Sequence, residues 1–377
     1  MRQKLKSENY ITQKYNPNNI QMNISKHIEK LTSSLIAFLV VGLMFTSCGT
    51  IFDYEGDCSY SYHIKFRYTN NILNAEAFAG NVTHVSLYVF DANTGKLILD
   101  TIESNAAVLS EMDYTMELPL DSGTYDIVAW CGDAVANNKV VIPELQRGVA
   151  TIEDLSCAID RVTNSEHSSC VFDNMGHLYH GKERVTFTEE PGRQVGVVNL
   201  TKNSNSIKVV LQSIQKGQYL SKDDFDFRIQ DKNGNMSYDN SLVDCELMTY
   251  HAWAISEISA DVDASVDDDV HKKMPTRAAD STSTAVMAEL TIGRLMTFNE
   301  PKLVVYNKTS EALVLSIPLK DYALMVKGYG YSHWSDQEYL DRQDNYALTF
   351  FLDELGTWIA SYVIINDWKI VLQNSEL

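Results

Sequence analysis

Proline is scarce in this sequence, at 7 of 377 residues, and no Pro-rich or Gly/Ser-rich tract interrupts it. That excludes polyproline spacers and long flexible linkers as its main content. Basic residues are also few: Lys and Arg total 31 against 50 Asp and Glu, a formal net charge of −19. Such a surface repels phosphate backbones and anionic lipid heads, so no nucleic-acid partner and no basic membrane-docking patch is expected. GxSxG, HExxH, Walker A and GxGxxG motifs are all missing. Without them no motif supports catalysis or a bound cofactor, and the chain is not expected to be an enzyme. Long amphipathic helices alternating with strands are missing too, which argues against a parallel α/β sheet.

What is present is apolar alternation with period two, the mark of half-buried antiparallel strands. Tyr60, Tyr62, Ile64, Phe66 and Tyr68 share one face, as do Val85, Leu87 and Val89 before a turn at 91–95. Tyr114–Leu120 and Thr124–Trp130 follow, separated by Asp121-Ser-Gly123. Residues 131–195 are less regular and read as loops with a short helix or two. Alternation resumes at Val195–Leu200, Ser206–Leu211 and Phe225–Ile229, where Asp231-Lys-Asn-Gly234 signals a hairpin. Residues 260–284 read as a solvated charged loop. Strands are expected again at Ala288–Leu295, Lys302–Tyr306, Ala312–Ile317, Tyr346–Leu352 and Ser361–Leu372, with a helix at Ser335–Arg342. Hydrophobic residues make up 45% of the chain, enough to bury a core. The expected fold is therefore all-β with minor helix: two tandem β-sandwich domains, residues 58–195 and 196–377. No internal repeat is visible.

The N-terminus is different. Leu35–Phe45 is an apolar run of about eleven residues, too short for a membrane-crossing helix of roughly 20. Lys26, His27 and Lys30 precede it, and Thr46-Ser47-Cys48 follows, small residues before a cysteine. This resembles the lipobox of bacterial lipoproteins, with Phe45 where an aliphatic residue is usual. Residues 1–47 are thus expected to be a signal peptide, with translation starting at Met22, and 48–57 a lipidated tether. The resemblance implies a diacylglycerol and an N-acyl chain such as palmitate on Cys48, and no other cofactor. The leader carries six basic residues and two acids, so its removal takes the net charge from −19 to −23.

Cys58, Cys131, Cys157, Cys170 and Cys245 remain, an odd number, so at least one thiol stays free. Cys131 is the choice, because it continues the buried alternation Tyr125, Ile127, Ala129. Cys157, Cys170, His177 and His180, with His167 nearby, form a weak candidate zinc set; the cysteines lack the close spacing of structural zinc sites, and no metal is expected. Asp261, Asp263 and Ser265 imitate the opening of a calcium loop, but Val266 and Lys272 stand where Gly and Glu are required.

Several motifs fall in a recognisable order: Glu55-Gly-Asp-Cys58, Val85-Ser-Leu-Tyr-Val-Phe-Asp91 and Gly123-Thr-Tyr-Asp-Ile-Val-Ala-Trp130. Asp224-Phe-Asp-Phe-Arg-Ile, Lys232-Asn-Gly-Asn, Gly293-Arg-Leu-Met296, Glu338-Tyr-Leu-Asp-Arg342, Tyr346–Phe351 and Ile365-Asn-Asp-Trp368 follow. Together, behind a lipobox, they resemble the fimbrial anchor-subunit family of Bacteroides-type bacteria, relatives of the type V pilins. Asp367 departs from the Gly expected there and puts the local turn in doubt.

The resemblance covers nearly all of residues 48–372. It implies transthyretin-like sandwiches, a surface-exposed lipoprotein of the cell outer membrane, and fimbrial stalk subunits as partners through β-strand addition. Under it, His63, Ile64, Lys65, Phe66, Arg67 and Tyr68 form a first strand that the anchor retains, and Val363–Leu372 is either donated to the first stalk subunit or the last strand of its own domain. The alternative is a surface glycan-binding lipoprotein using Tyr329, Tyr331 and Trp334 as a stacking platform, against which stands ordinary packing of an aromatic loop.

Overall fold

The computed structural model describes residues 59–163, 168–215, 217–261, 282–360 and 362–372. The leader, Cys48, the tether, Cys58, His167 and nearly all of the acidic stretch after Asp261 lie outside them. The fold is all-β with short helices, as the alternation requires.

The first sheet runs in the order β3 (Leu97–Glu103), β2 (Val85–Asp91), β5 (Gly123–Cys131), β10 (Tyr179–Phe187), β11 (Gly192–Lys202), β1 (Tyr60–Asn70), β4 (Met116–Leu118). The second runs β16 (Ala254–Asp261), β17 (Thr282–Gly293), β12 (Ser204–Ser213), β20 (Asn345–Leu352), β21 (Tyr362–Ile365), β22 (Trp368–Val371). The third runs β19 (Leu313–Pro318), β18 (Lys302–Asn307), β13 (Phe225–Asp231), β15 (Met248–His251), β9 (Ser169–Val171), β8 (Val162–Thr163). A small fourth sheet pairs β14 (Asn235–Ser237), β7 (Ser156–Ile159) and β6 (Val140–Val141).

Two apolar cores follow from the alternation. Tyr62, Ile64, Phe66, Leu87, Ile127, Val198 and Leu200 line one face of the first sheet, closed by Phe78 and Leu109 on short helices. The larger core lies between the second and third sheets, with Val209, Leu290 and Phe350 from one and Phe227, Leu303 and Ile317 from the other. Phe90, Val128 and Trp130, on the opposite face of the first sheet, join this larger core. The chain changes sheet at Asn203, a fully buried amide that exchanges hydrogen bonds with Asn240 at 2.5 and 3.1 Å.

The pairing repeats where the sequence does not. β1 lies between β11, parallel, and β4, antiparallel. β12 likewise lies between β20, parallel, and β17, antiparallel.

Two expectations are corrected. The irregular stretch 131–195 contains the nine-residue β10, paired along its whole length with β5. Its Gly181-Lys-Glu-Arg184 centre hides the alternation, because Gly181 faces Val198 and Leu200, whose side chains occupy the space a Cβ would need. The Asp231–Gly234 turn does not close a hairpin. β13 pairs with β15 and β18, whereas β14 pairs with β7. Buried Asp231 and Asn233 hold this corner: Asn233 donates to the Arg294 carbonyl at 3.2 Å and accepts from the Tyr250 hydroxyl at 2.6 Å.

Candidate functional site

β1 is held from both sides and from below. It runs parallel to β11 from Tyr60 opposite Gly192 to Arg67 opposite Asn199. On its other edge β4 covers only Tyr62, His63 and Ile64. Beyond that, the Tyr68 amide donates to the Glu76 carboxylate at 3.0 Å, and the Ala77 amide donates to the Tyr68 carbonyl at 3.1 Å. The strand is thus finished by a loop where β4 stops.

The buried face consists of Tyr62, Ile64, Phe66 and Tyr68. Tyr62 stacks on Phe187 with centroids 4.6 Å apart, Phe66 on Phe78 at 5.6 Å, and Tyr68 meets Tyr179 edge-on at 5.0 Å. At about 1.5–3 kcal/mol for each buried side chain, these four contribute roughly 6–12 kcal/mol. This is the gross gain, from which the entropy of ordering the strand is subtracted, so loss of the strand should destabilise the first core. His63, Lys65 and Arg67 point the other way. Burial, with Arg193 adding to it, lowers the His63 imidazole below its ordinary value.

The sequence pattern missed the residue that admits this strand. A Cβ on Gly196 would lie 2.7 Å from Val185 and 2.9 Å from Ile64, so a larger residue there would force one of these side chains to shift. A lone glycine inside the Val195–Leu200 strand was the available signal.

At the far end of the chain, β21 and β22 form a hairpin on the edge of the second sheet. Asn366 and Asp367 both take positive φ, 46° and 68°, as a two-residue type I′ turn demands. Asp therefore occupies the place of the expected glycine, and the turn forms. Asn366 fixes it, its side chain accepting from the Ala347 amide at 2.8 Å and its own amide donating to the Ala347 carbonyl at 2.9 Å. Val363 and Ile365 of β21 are buried in the chain's own core, whereas Trp368 and Val371 of β22 are 69% and 68% exposed.

The aromatic segment 329–334 packs largely on itself. Tyr331 and Trp334 stack at 5.0 Å and 16°, and the Arg342 guanidinium lies 4.6 Å from the Trp334 ring. Lys327 donates to the Trp334 carbonyl at 2.7 Å, and Tyr329 alone of the three rings is fully exposed.

The candidate zinc residues are dispersed among elements. Cys157 lies on β7, Cys170 on β9 and His180 on β10, where it donates to the Tyr238 carbonyl at 2.9 Å and packs on Trp130 at 4.5 Å. His177 lies apart, beside Asp133. Among the described residues no group of three or more His, Cys, Asp or Glu could hold a metal. Cys131, Cys157 and Cys245 are free thiols, and these three and Cys170 are all buried.

The model of the Fimbrillin-A associated anchor proteins Mfa1 and Mfa2 matches residues 54–374. The chain belongs to this family. Its relatives include a Bacteroides thetaiotaomicron protein proposed as an adhesin, 30% identical, covering 83% of this chain and 97% of its own, with a TM-score of 0.69. A second structure from that species, proposed to bind polysaccharide, is 29% identical, covers 85% of this chain and all of its own, and also scores 0.69. The fimbrial anchor protein Mfa2 of Porphyromonas gingivalis shares the fold, with a TM-score of 0.59 at 15% identity over 83% of this chain and 99% of its own. No match was found among curated proteins. Membership in a fimbrial anchor family assigns a structural, adhesion-type role at the cell surface or envelope, and the family is not one of enzymes.

Proposed function

We propose that this protein is an outer-membrane lipoprotein that roots a type V-like fimbria, held by lipid on Cys48 and joined to stalk subunits by strand addition. The observation that carries the reading is the seating of β1. An anchor whose lipid precedes its first strand must keep that strand, and β1 is embedded between β11 and β4 with four large side chains in the core. The residues 63–68 are the retained first strand.

The C-terminal hairpin is the contact with the first stalk subunit. β21 is committed to this chain's own core, so the available part is β22, an edge strand with Trp368 and Val371 exposed. An open strand edge with apolar side chains is a template for a strand from another chain.

Cys48→Ala in the native host tests the lipid. Palmitate labelling of the protein should disappear and fimbriae should be shed into the medium; labelled protein or cell-bound fimbriae in the variant would overturn the reading. Deleting the residues after Asp367 tests the contact: the lipoprotein should remain on cells while fimbriae detach, and attached fimbriae would exclude β22.

Glycan binding is the second reading, favoured by the relative proposed to bind polysaccharide. The stacked Tyr331 and Trp334 offer it little free ring surface.

A further inference from the structure

A concavity of about 310 Å³ lies where the outer face of the second sheet meets the segment leading into β10. Its floor follows from strand alternation. Because Ile207, Val209 and Leu290 turn into the core, Ser206 and Lys208 of β12 face outward opposite Thr291 and Glu289 of β17. Asn345 of β20 lies beside Ser206 in the same row. The wall comes from the first half of the chain, as Asp133 and the turn 174–177.

That wall is built rather than incidental. Asp133 accepts from the His177 amide at 2.5 Å, and Gly176, at φ 75°, leaves room for the carboxylate, since a Cβ there would lie 2.6 Å from Asp133 Oδ2. The Asn174 side-chain oxygen accepts from both the Gly176 amide and the Thr291 hydroxyl at 2.9 Å, which turns its NH₂ group elsewhere as a donor. Trp253 completes the site, 37% exposed and fixed by its amide donating to the Glu289 carbonyl at 3.0 Å.

We infer that this concavity binds a neutral sugar ring. Adjacent hydroxyls of a pyranose both donate and accept. Carboxylates at Asp133 and Glu289 can receive them, while the Asn174 NH₂, the second N–H of Asn345 (its first donates to Asp344 at 2.6 Å) and the hydroxyl of Ser206 supply the complementary partners. The C–H face of the ring needs an aromatic surface, and Trp253 provides one. Lys208 is paired with Glu289 at 3.4 Å and His177 lies 4.0 Å from Asp133, so among the described residues the site holds no unpaired cation for a phosphate or sulfate. The volume is at the lower end of ligand pockets, roughly 300–1,000 Å³, which suits a short segment of a glycan rather than a broad surface.

The inference does not rest on anchoring: sugar binding can fail while fimbriae stay attached, and the reverse. The purified full-length lipoprotein is screened on a glycan array carrying neutral, sialylated and sulfated oligosaccharides. Hits are titrated by calorimetry and tryptophan fluorescence, with maltotriose, mannotriose and xylotriose included as soluble probes. Neutral glycans should bind, and Trp253→Ala should weaken them about ten-fold. Asn345→Ala, at an exposed position, is the second variant should Trp253→Ala fold poorly, and it should also weaken binding, whereas Trp334→Ala should not. Absence of any neutral hit, preference for the anionic glycans, or unchanged binding in both site variants would overturn the assignment.

Discussion

Arg294 grips Asp341 with two parallel hydrogen bonds, Nε to Oδ1 and Nη2 to Oδ2, each 2.7 Å long. Arg294 follows β17 directly, and Asp341 belongs to the helix Asp336–Arg342, whose N-terminus is capped by Ser335. Both side chains are nearly buried, at 12% and 11% exposure. The next residue, Arg342, donates to the carbonyls of Thr69 and Asn71, so one short helix ties the second sheet to the end of β1.

Removing Asp341 leaves the nearly buried Arg294 guanidinium without its counter-charge, hydrogen-bonded to the Asn240 carbonyl at 3.0 Å. Asp341→Ala should therefore destabilise the protein by about 3 kcal/mol in urea unfolding. The double variant Arg294→Met/Asp341→Ala should lose less than Asp341→Ala alone. A loss near zero for the single variant would mean that the pair is solvated in solution.

The first strand should behave as a separable part. A chain lacking residues up to Asn70 exposes the groove under Gly196, and a synthetic peptide YSYHIKFRYTN should restore its thermal transition. The same peptide with Ile64 and Phe66 replaced by Ser should not. Equal rescue by both peptides would show that side-chain burial on β1 is not what fills the groove.

Two buried groups give opposing pH dependences. Burial pushes the Asp231 carboxyl from 3.8 up to about 6; its Oδ1 is hydrogen-bonded to the Lys232 amide and Asn299, but Oδ2 has no partner among the described residues. Between pH 4 and 6 the folded state binds more protons here than the unfolded state. This contribution is therefore present at low pH and lost as pH rises through 6, a change of roughly 2–3 kcal/mol. His180 does the reverse: burial lowers it from 6.5 to about 4, so its contribution is full above 6.5 and is lost as pH falls toward 4. Asp231→Asn should raise Tm at pH 7 and leave the slope set by the histidines that burial lowers, His180 foremost, with Tm climbing from pH 4 to 6.5. A variant less stable than the parent at pH 7 would contradict the assignment to Asp231.

The C-terminal turn can be improved. Asp367 occupies the left-handed region at φ 68°, where glycine carries no Cβ penalty. Asp367→Gly should stabilise the hairpin by roughly 0.5–1 kcal/mol, read as slower hydrogen exchange of the β22 amides. Faster exchange would indicate that Asp367 makes a compensating interaction of its own.

The strands around both cores were legible because each turns one uninterrupted apolar face inward, as Tyr62, Ile64, Phe66 and Tyr68 do. The helix at Asp336–Arg342 was legible from its Ser335 cap. β10 was not, because glycine stands at Gly181 on its inner face and three consecutive charged residues, Lys182, Glu183 and Arg184, follow it and mask the alternation. The Asp231–Gly234 corner misled for a different reason. Local turn chemistry says that the chain reverses, but only the burial of Asn233 and Asp231 decides which sheet receives it. The self-packing of Tyr331, Trp334 and Arg342 is likewise a tertiary fact. So is the polar concavity that Trp253 completes, whose residues come from six separate stretches of sequence.

The parallel sense of β1 against β11 has a mechanical consequence. The chain enters β1 at Ser59 and leaves β11 at Lys202, at opposite ends of the same ladder. A pull between Ser59 and the residues after Lys202 therefore slides the two strands along each other. In that shear geometry the ladder bonds from Tyr60 to Arg67 bear the load together. An antiparallel hairpin pulled from its open end would unzip one bond at a time. The same strand order that buries four side chains thus puts this ladder in shear, not in peel, when the two ends are drawn apart.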